Sequence, residues 1–183
     1  MKITNVTLHP VEVARAYTTQ IARDGGGARD VVARSSFVLL EATTDSGLVG
    51  WGEISDIPVS ERVPLEDLAE TVRTMLIGRD PFDTRQLHTD YRAKYPVTFL
   101  EDAELPRLIC AALDTVCCDL MSQAAHVPIY QLLGGRQRSQ VEISWVAFIR
   151  EDLEALREEI ASRTAAGFRH FKLKVGIDID LDE

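Results

Sequence analysis

Residues 2 to 13 alternate loosely between apolar and polar, with Ile3, Leu8, Val11 and Val13 as the apolar members, and this period of two predicts a strand. A second strand is expected from about Val31 to Thr44 through Phe37-Val38-Leu39-Leu40, and a third across Leu48-Val49-Gly50-Trp51-Gly52-Glu53-Ile54. Asp45-Ser46-Gly47 has hairpin-turn chemistry, so the three read as an antiparallel meander. Gly50 and Gly52 predict close backbone approach within the third strand, with Trp51 between them as a packing anchor.

From Pro64 the period becomes helical. Leu65, Leu68, Val72 and Met75 make one stripe that ends at Gly78. Pro81 opens a second predicted helix, with Asp80 as its N-cap and Phe82, Leu87 and Tyr91 as apolar members. A third runs from about Pro106 to Ala125 and turns Ile109, Leu113, Val116, Leu120 and Met121 to the core. Cys110, Cys117 and Cys118 fall near its apolar face and read as buried free thiols; their odd number and spacing argue against a zinc site or a disulfide framework. Val127-Pro128 to Gly134-Gly135 is a short helix closed by two glycines, and polar Arg136 to Gln140 marks a boundary between residues 1–135 and 136–183.

Downstream, Val141 to Phe148 reads as a strand and Glu151 to Ala166 as a helix with Leu153, Leu156 and Ile160 on one stripe, capped by Gly167. A second strand follows in Phe168-Arg169-His170-Phe171-Lys172-Leu173-Lys174-Val175-Gly176. Alternation sends Phe171, Leu173 and Val175 one way and His170, Lys172 and Lys174 the other. Such a β-α-β unit makes a parallel pair, and parallel sheets are covered on both faces, so the lysine face is expected to look inward. Two ammonium groups held close and partly desolvated disfavour each other's charge, which lowers a lysine pKa towards the range of a working base. Lys174, nearest the strand's C-terminal end, is the candidate general base, and Lys172 its electrostatic partner and anion ligand. The competing reading is a pair of solvated edge-strand lysines that discourage aggregation. Val146, on the inward face of the preceding strand, is a candidate pocket wall, whereas His170 at the strand's start reads as structural.

Between the first two strands, Tyr17 to Asp30 holds Gly25-Gly26-Gly27 and is a candidate lid, with Tyr17 and Ile21 as its substrate-facing side chains. Ile54 and Ser55 are candidates for a second wall. Glu53 is expected to be solvated or ion-paired, and His88 and His126 to be surface or locally bonded imidazoles. The run Asp178, Asp180, Asp182 and Glu183 lacks the central glycine and distal glutamate of a calcium loop and reads as an acidic helix start.

Composition narrows the partners. Twenty Lys and Arg against 29 Asp and Glu give a net charge of −9, which argues against nucleic acid or an anionic membrane. No run of 18 apolar residues and no signal-peptide pattern at Met1-Lys2-Ile3-Thr4-Asn5 are present, so a cytoplasmic protein is expected.

Three segments, Gly50-Trp51-Gly52-Glu53, Pro128-Ile129-Tyr130-Gln131-Leu132-Leu133-Gly134-Gly135 and Phe171-Lys172-Leu173-Lys174-Val175-Gly176, resemble in order and spacing the mandelate racemase and muconate lactonizing branch of the enolase superfamily. The resemblance implies an α+β N-terminal capping domain over residues 1–135, followed from 136 by the start of a (β/α) TIM-type barrel that is incomplete in this chain. It implies abstraction by Lys174 of the proton α to the carboxylate of a small-molecule substrate, with Mg2+ stabilising the enediolate, and then racemisation, sugar-acid dehydration or cycloisomerisation. No metal ligands are expected within this chain, so the 183 residues alone should bind Mg2+ poorly and turn over nothing. A homo-oligomer is expected. The alternatives are a non-catalytic capping or binding module, an inactive truncated fragment, or a β/α enzyme using Lys174 as a Schiff base.

Overall fold

The computed structural model describes residues 1–22, 29–57, 61–96, 104–148 and 152–175, with backbone alone at 16–22 and 29–32. Three strands, β1 (Ile3–Ala22), β2 (Arg29–Thr44) and β3 (Val49–Ile54), form a sheet in the order β1-β2-β3. β2 and β3 are antiparallel, with Val38 opposite Ile54 and Thr43 opposite Val49. The turn between them closes through Gly47, at φ +81°, whose N–H donates to Thr44 O. β1 and β2 are longer than the alternation suggests. Each runs through the flank of the expected 17–30 loop, where Thr18, Thr19, Ile21, Val31 and Val32 supply the β-branched residues that suit extended backbone. The Gly25-Gly26-Gly27 centre lies outside the described residues.

Contacts divide the chain into two units: Met1–Val13 with Ser35–Arg136, and Ala14–Arg34 with Gln137–Glu183. In the first, helices α1 (Leu65–Leu76), α2 (Thr84–Lys94), α3 (Leu105–Ala125) and α4 (Ile129–Leu132) accompany the sheet. Leu40, Ile54, Val72, Leu76, Leu87, Leu113, Val116 and Leu120 are fully buried in one core. The glycines of β3 explain how α3 comes so close. A Cβ on Gly50 would stand 2.5 Å from Leu120 Cγ, and one on Gly52 would stand 2.5 Å from Ala112 O. α3 also satisfies backbone groups of β3: Trp51 N–H donates to Asp119 Oδ2 (2.8 Å), and Gln123 Nε2 donates to Val49 O (2.8 Å). At its other end α3 has no cap of its own. The Glu61 carboxylate accepts from Glu104 N–H (2.8 Å) and Leu105 N–H (2.5 Å), placing negative charge where the helix dipole favours it. α3 is long and apolar enough to cross a membrane by length and composition, but its buried stripe is spent on this core.

Four details differ from the sequence expectation. α2 begins at Thr84, because Asp80 Oδ1 instead accepts from Phe82 N–H (3.0 Å) in a turn that precedes the helix, leaving Phe82 exposed. Trp51 is 45% exposed, its ring against His9 rather than in the core, because the flanking glycines take the inward face. Of the three thiols only Cys117 is buried, since Cys110 and Cys118 stand at the margins of the α3 stripe. Met121 is likewise only half-buried.

The second unit contains β4 (Trp145–Ala147), α5 (Leu153–Ala165) and β5 (Phe171–Leu173), with β4 and β5 parallel. Asp152 caps α5, accepting from Glu154 N–H (2.9 Å) and Ala155 N–H (3.3 Å), and Gly167 leaves the helix at φ +100°. Both strands are shorter than predicted: Val141 and Ile143 lie outside β4 and are exposed. α5 buries no residue completely; Leu156 and Ile160 are half-buried and Leu153 is exposed.

Candidate active site

The facing of the lysine strand is set one strand earlier, by Trp145. Its indole N–H donates to Glu159 Oε1 (2.9 Å), the Arg163 guanidinium lies 3.8 Å from its ring centroid, and Phe168 meets it edge-on at 5.4 Å. Glu159 and Arg163 belong to α5, so Trp145 points to the helix side of the β4–β5 pair. By strand alternation Val146 points to the other side. Val146 is opposite Lys172 in the parallel register, which puts Lys172 on the helix-free face with it, and Lys174 follows two residues on. Lys174 N–H donates to Ala147 O (3.0 Å), extending the ladder to the C-terminal end of the pair.

Thus Val146, Lys172 and Lys174 share one face. Neither lysine has a carboxylate partner among the described residues. Both are exposed, in contrast to the shielded face expected from the sequence. The reason is visible in their neighbours: Leu173 and Val175, on the opposite face, are 52% and 64% exposed, so neither side of β5 is covered among the described residues. His170, at the start of the strand, is paired with Glu142 (Nε2 to Oε2, 2.6 Å).

The other candidates scatter. Tyr17 and Ile21 lie on β1, and their side chains are outside the described ones. Ile54, expected as a pocket wall, is instead fully buried in the core of the first unit, because alternation from Trp51 and Glu53 turns it inward. Ser55 is half-buried and its hydroxyl donates to the exposed Glu53 (2.5 Å). The residues that orient the lysine strand, Trp145, Glu159 and Arg163, went unmarked in the sequence; the i, i+4 spacing of Glu159 and Arg163 on a helix after an aromatic strand residue is their one signal. Among the described residues no three His, Cys, Asp or Glu side chains gather to hold a metal ion.

Proteins of known activity and of known structure are similar to this chain. The chain is 31% identical over 150 residues to the N-succinyl-L-Arg/Lys racemase of Bacillus cereus, covering 79% of this chain and 38% of that one. It is 31% identical over 153 residues to the D-mannonate dehydratase of Rhizorhabdus wittichii, covering 82% and 37%. The crystal structure of the dipeptide epimerase of Enterococcus faecalis, complexed with Mg and the dipeptide L-Leu-L-Tyr, superposes with a TM-score of 0.77 at 28% identity, covering all of this chain and 48% of that one. The chain therefore spans less than half the length of these proteins. Residues 4–134 match the sequence profile of the mandelate racemase / muconate lactonizing enzyme N-terminal domain, and with the capping-domain fold in place the chain belongs to that branch of the enolase superfamily.

Proposed function

We propose that this chain supplies the capping domain and the first two barrel strands of an enzyme that removes the proton α to the carboxylate of a small-molecule substrate. The observation that carries this reading is the shared face of Val146, Lys172 and Lys174, opposite α5 and at the C-terminal end of a parallel pair. In a barrel of such units the helix-free face is the interior, and the C-terminal end is where chemistry is placed. Lys174 Nζ takes the proton from the α-carbon. Lys172, two residues earlier on the same face, attracts the carboxylate with its positive charge. Magnesium is the metal this reading carries over from the dipeptide epimerase. The described residues hold no ligand set for it, so the chemistry assigned to this chain is that of the two lysines alone. Racemisation and dehydration of a sugar acid begin with this proton transfer, whereas cycloisomerisation forms its enolate by intramolecular addition of a carboxylate and ends with proton delivery to the α-carbon.

The test is turnover in the protein with a complete barrel, assayed on N-acyl amino acids, dipeptides and sugar acids. Lys174→Ala is expected to lower kcat by about 100-fold or more. Lys172→Met should retain partial activity with a raised KM, since one positive charge facing the substrate carboxylate is gone. Full activity in Lys174→Ala rules the assignment out.

The exposure of both lysines favours a second reading, a non-catalytic capping module. Magnesium separates the two. In the complete barrel, a ligand that prefers the native state raises the melting temperature, and the enzyme reading requires such a shift with Mg2+ whereas the module reading requires none.

A further inference from the structure

A cavity of about 690 Å³ lies between α2 and α3, wholly within the first unit and independent of the lysine chemistry. Its size falls in the range of small-molecule pockets, roughly 300–1,000 Å³. Tyr95, half-buried at the C-cap of α2, forms one wall, and Tyr91 of α2 packs behind it, 2% exposed, with ring centroids 5.0 Å apart and planes inclined by 40°. The Tyr91 hydroxyl donates to Pro106 O (2.8 Å), which fixes that ring without a ligand. Two exposed arginines line the same space from different helices, Arg92 from α2 and Arg107 from α3. Neither has a carboxylate partner among the described residues, whereas Arg62, Arg73 and Arg79 each hold one. The single carboxylate of the lining, Asp114, is already engaged by His88 Nε2 at 2.9 Å. Positive charge is therefore left over at an aromatic-walled cavity of a chain whose net charge is −9.

We propose that this cavity binds a small carboxylate that carries an aromatic ring. The ring packs on Tyr95, where offset or tilted aromatic contacts are favourable. The carboxylate is held by Arg92 and Arg107, whose planar forks donate charge-assisted hydrogen bonds to it. The site binds and does not react: burial pushes the Cys110 thiol above its ordinary pKa, which leaves the one nucleophile in the lining protonated.

The experiment is calorimetric titration of the full chain with 4-hydroxyphenylacetate, with its methyl ester as the neutral control. Saturable one-to-one binding is expected, weakened about tenfold or more in the ester and in the Arg92→Gln/Arg107→Gln double variant. Ala111→Trp, which fills the cavity from α3, should abolish binding, and Arg92→Lys/Arg107→Lys should restore part of what the glutamines remove. Melting temperatures unchanged from the parent certify that each variant is folded. Absence of saturable binding overturns the proposal, as does equal binding of acid and ester, or parental affinity in the Ala111→Trp or double-glutamine protein.

Discussion

The two units treat their apolar residues in opposite ways. In the first, the strand faces, helix stripes and glycines meet: Leu40 and Ile54 from the sheet and Val72, Leu113, Val116 and Leu120 from the helices are all removed from water. In the second, Val141, Ile143, Leu153, Leu173 and Val175 stay exposed although the sequence pattern is as regular, and Ala147 is its one buried apolar residue among those described. Alternation specifies which way a side chain points. Burial needs a second surface, and α3 provides it in the first unit through close packing on Gly50 and Gly52.

The largest expected effect lies at that packing surface. Leu113→Ala should destabilise the chain by about 3 kcal/mol, within the usual range for emptying a closed core, as read by urea unfolding. A loss comparable to a surface substitution would mean that α3 is not seated on the sheet.

Next comes alkaline pH. Burial pushes the Cys117 thiol from 9.0 up to about 12, so the folded state resists its ionisation. The stability this represents is complete below the unfolded thiol pKa and declines as pH rises from about 9 towards 12, by at most about 1.4 kcal/mol for each pH unit. Tyr91, also pushed up by burial, adds a decline of the same sign above about pH 10. Cys117→Ala should flatten the earlier part of this slope in denaturation measured across pH, and an unchanged slope would place Cys117 in contact with water.

A smaller effect is expected at Glu61, whose carboxylate takes the place of a side-chain cap on α3. Glu61→Gln keeps the shape and removes the charge, at a cost of about 1 kcal/mol that shrinks in high salt. The smallest is Leu173→Ala in the second unit, expected within about 0.5 kcal/mol because that side chain is already half in water. A cost as large as that of Leu113→Ala would erase the contrast between the units.

The meander, the Leu68-Val72-Met75 stripe, the close approach at Gly50 and Gly52 and the cap at Gly167 were legible in the sequence, because each follows from local periodicity or from one residue's backbone freedom. What was not legible depends on distant partners. Asp80 was expected to start a helix but holds a turn, and Trp51 was expected inside but lies outside because glycine occupied the inward positions. Glu61 shows no sign in its own neighbourhood of capping a helix 44 residues away. At the candidate site, alternation alone pairs Lys172 with Lys174, while the registry with Val146 and the orientation by Trp145, Glu159 and Arg163 come from the pairing of β5 with β4 and the packing of α5.

The most direct measurement is wash-in of solvent deuterium at the α-carbon of a carboxylate substrate, followed by proton NMR on the protein with a complete barrel. The parent should exchange that hydrogen and Lys174→Ala should not, even where turnover is too slow to follow. Exchange by Lys174→Ala at the parental rate would contradict the assignment of the base.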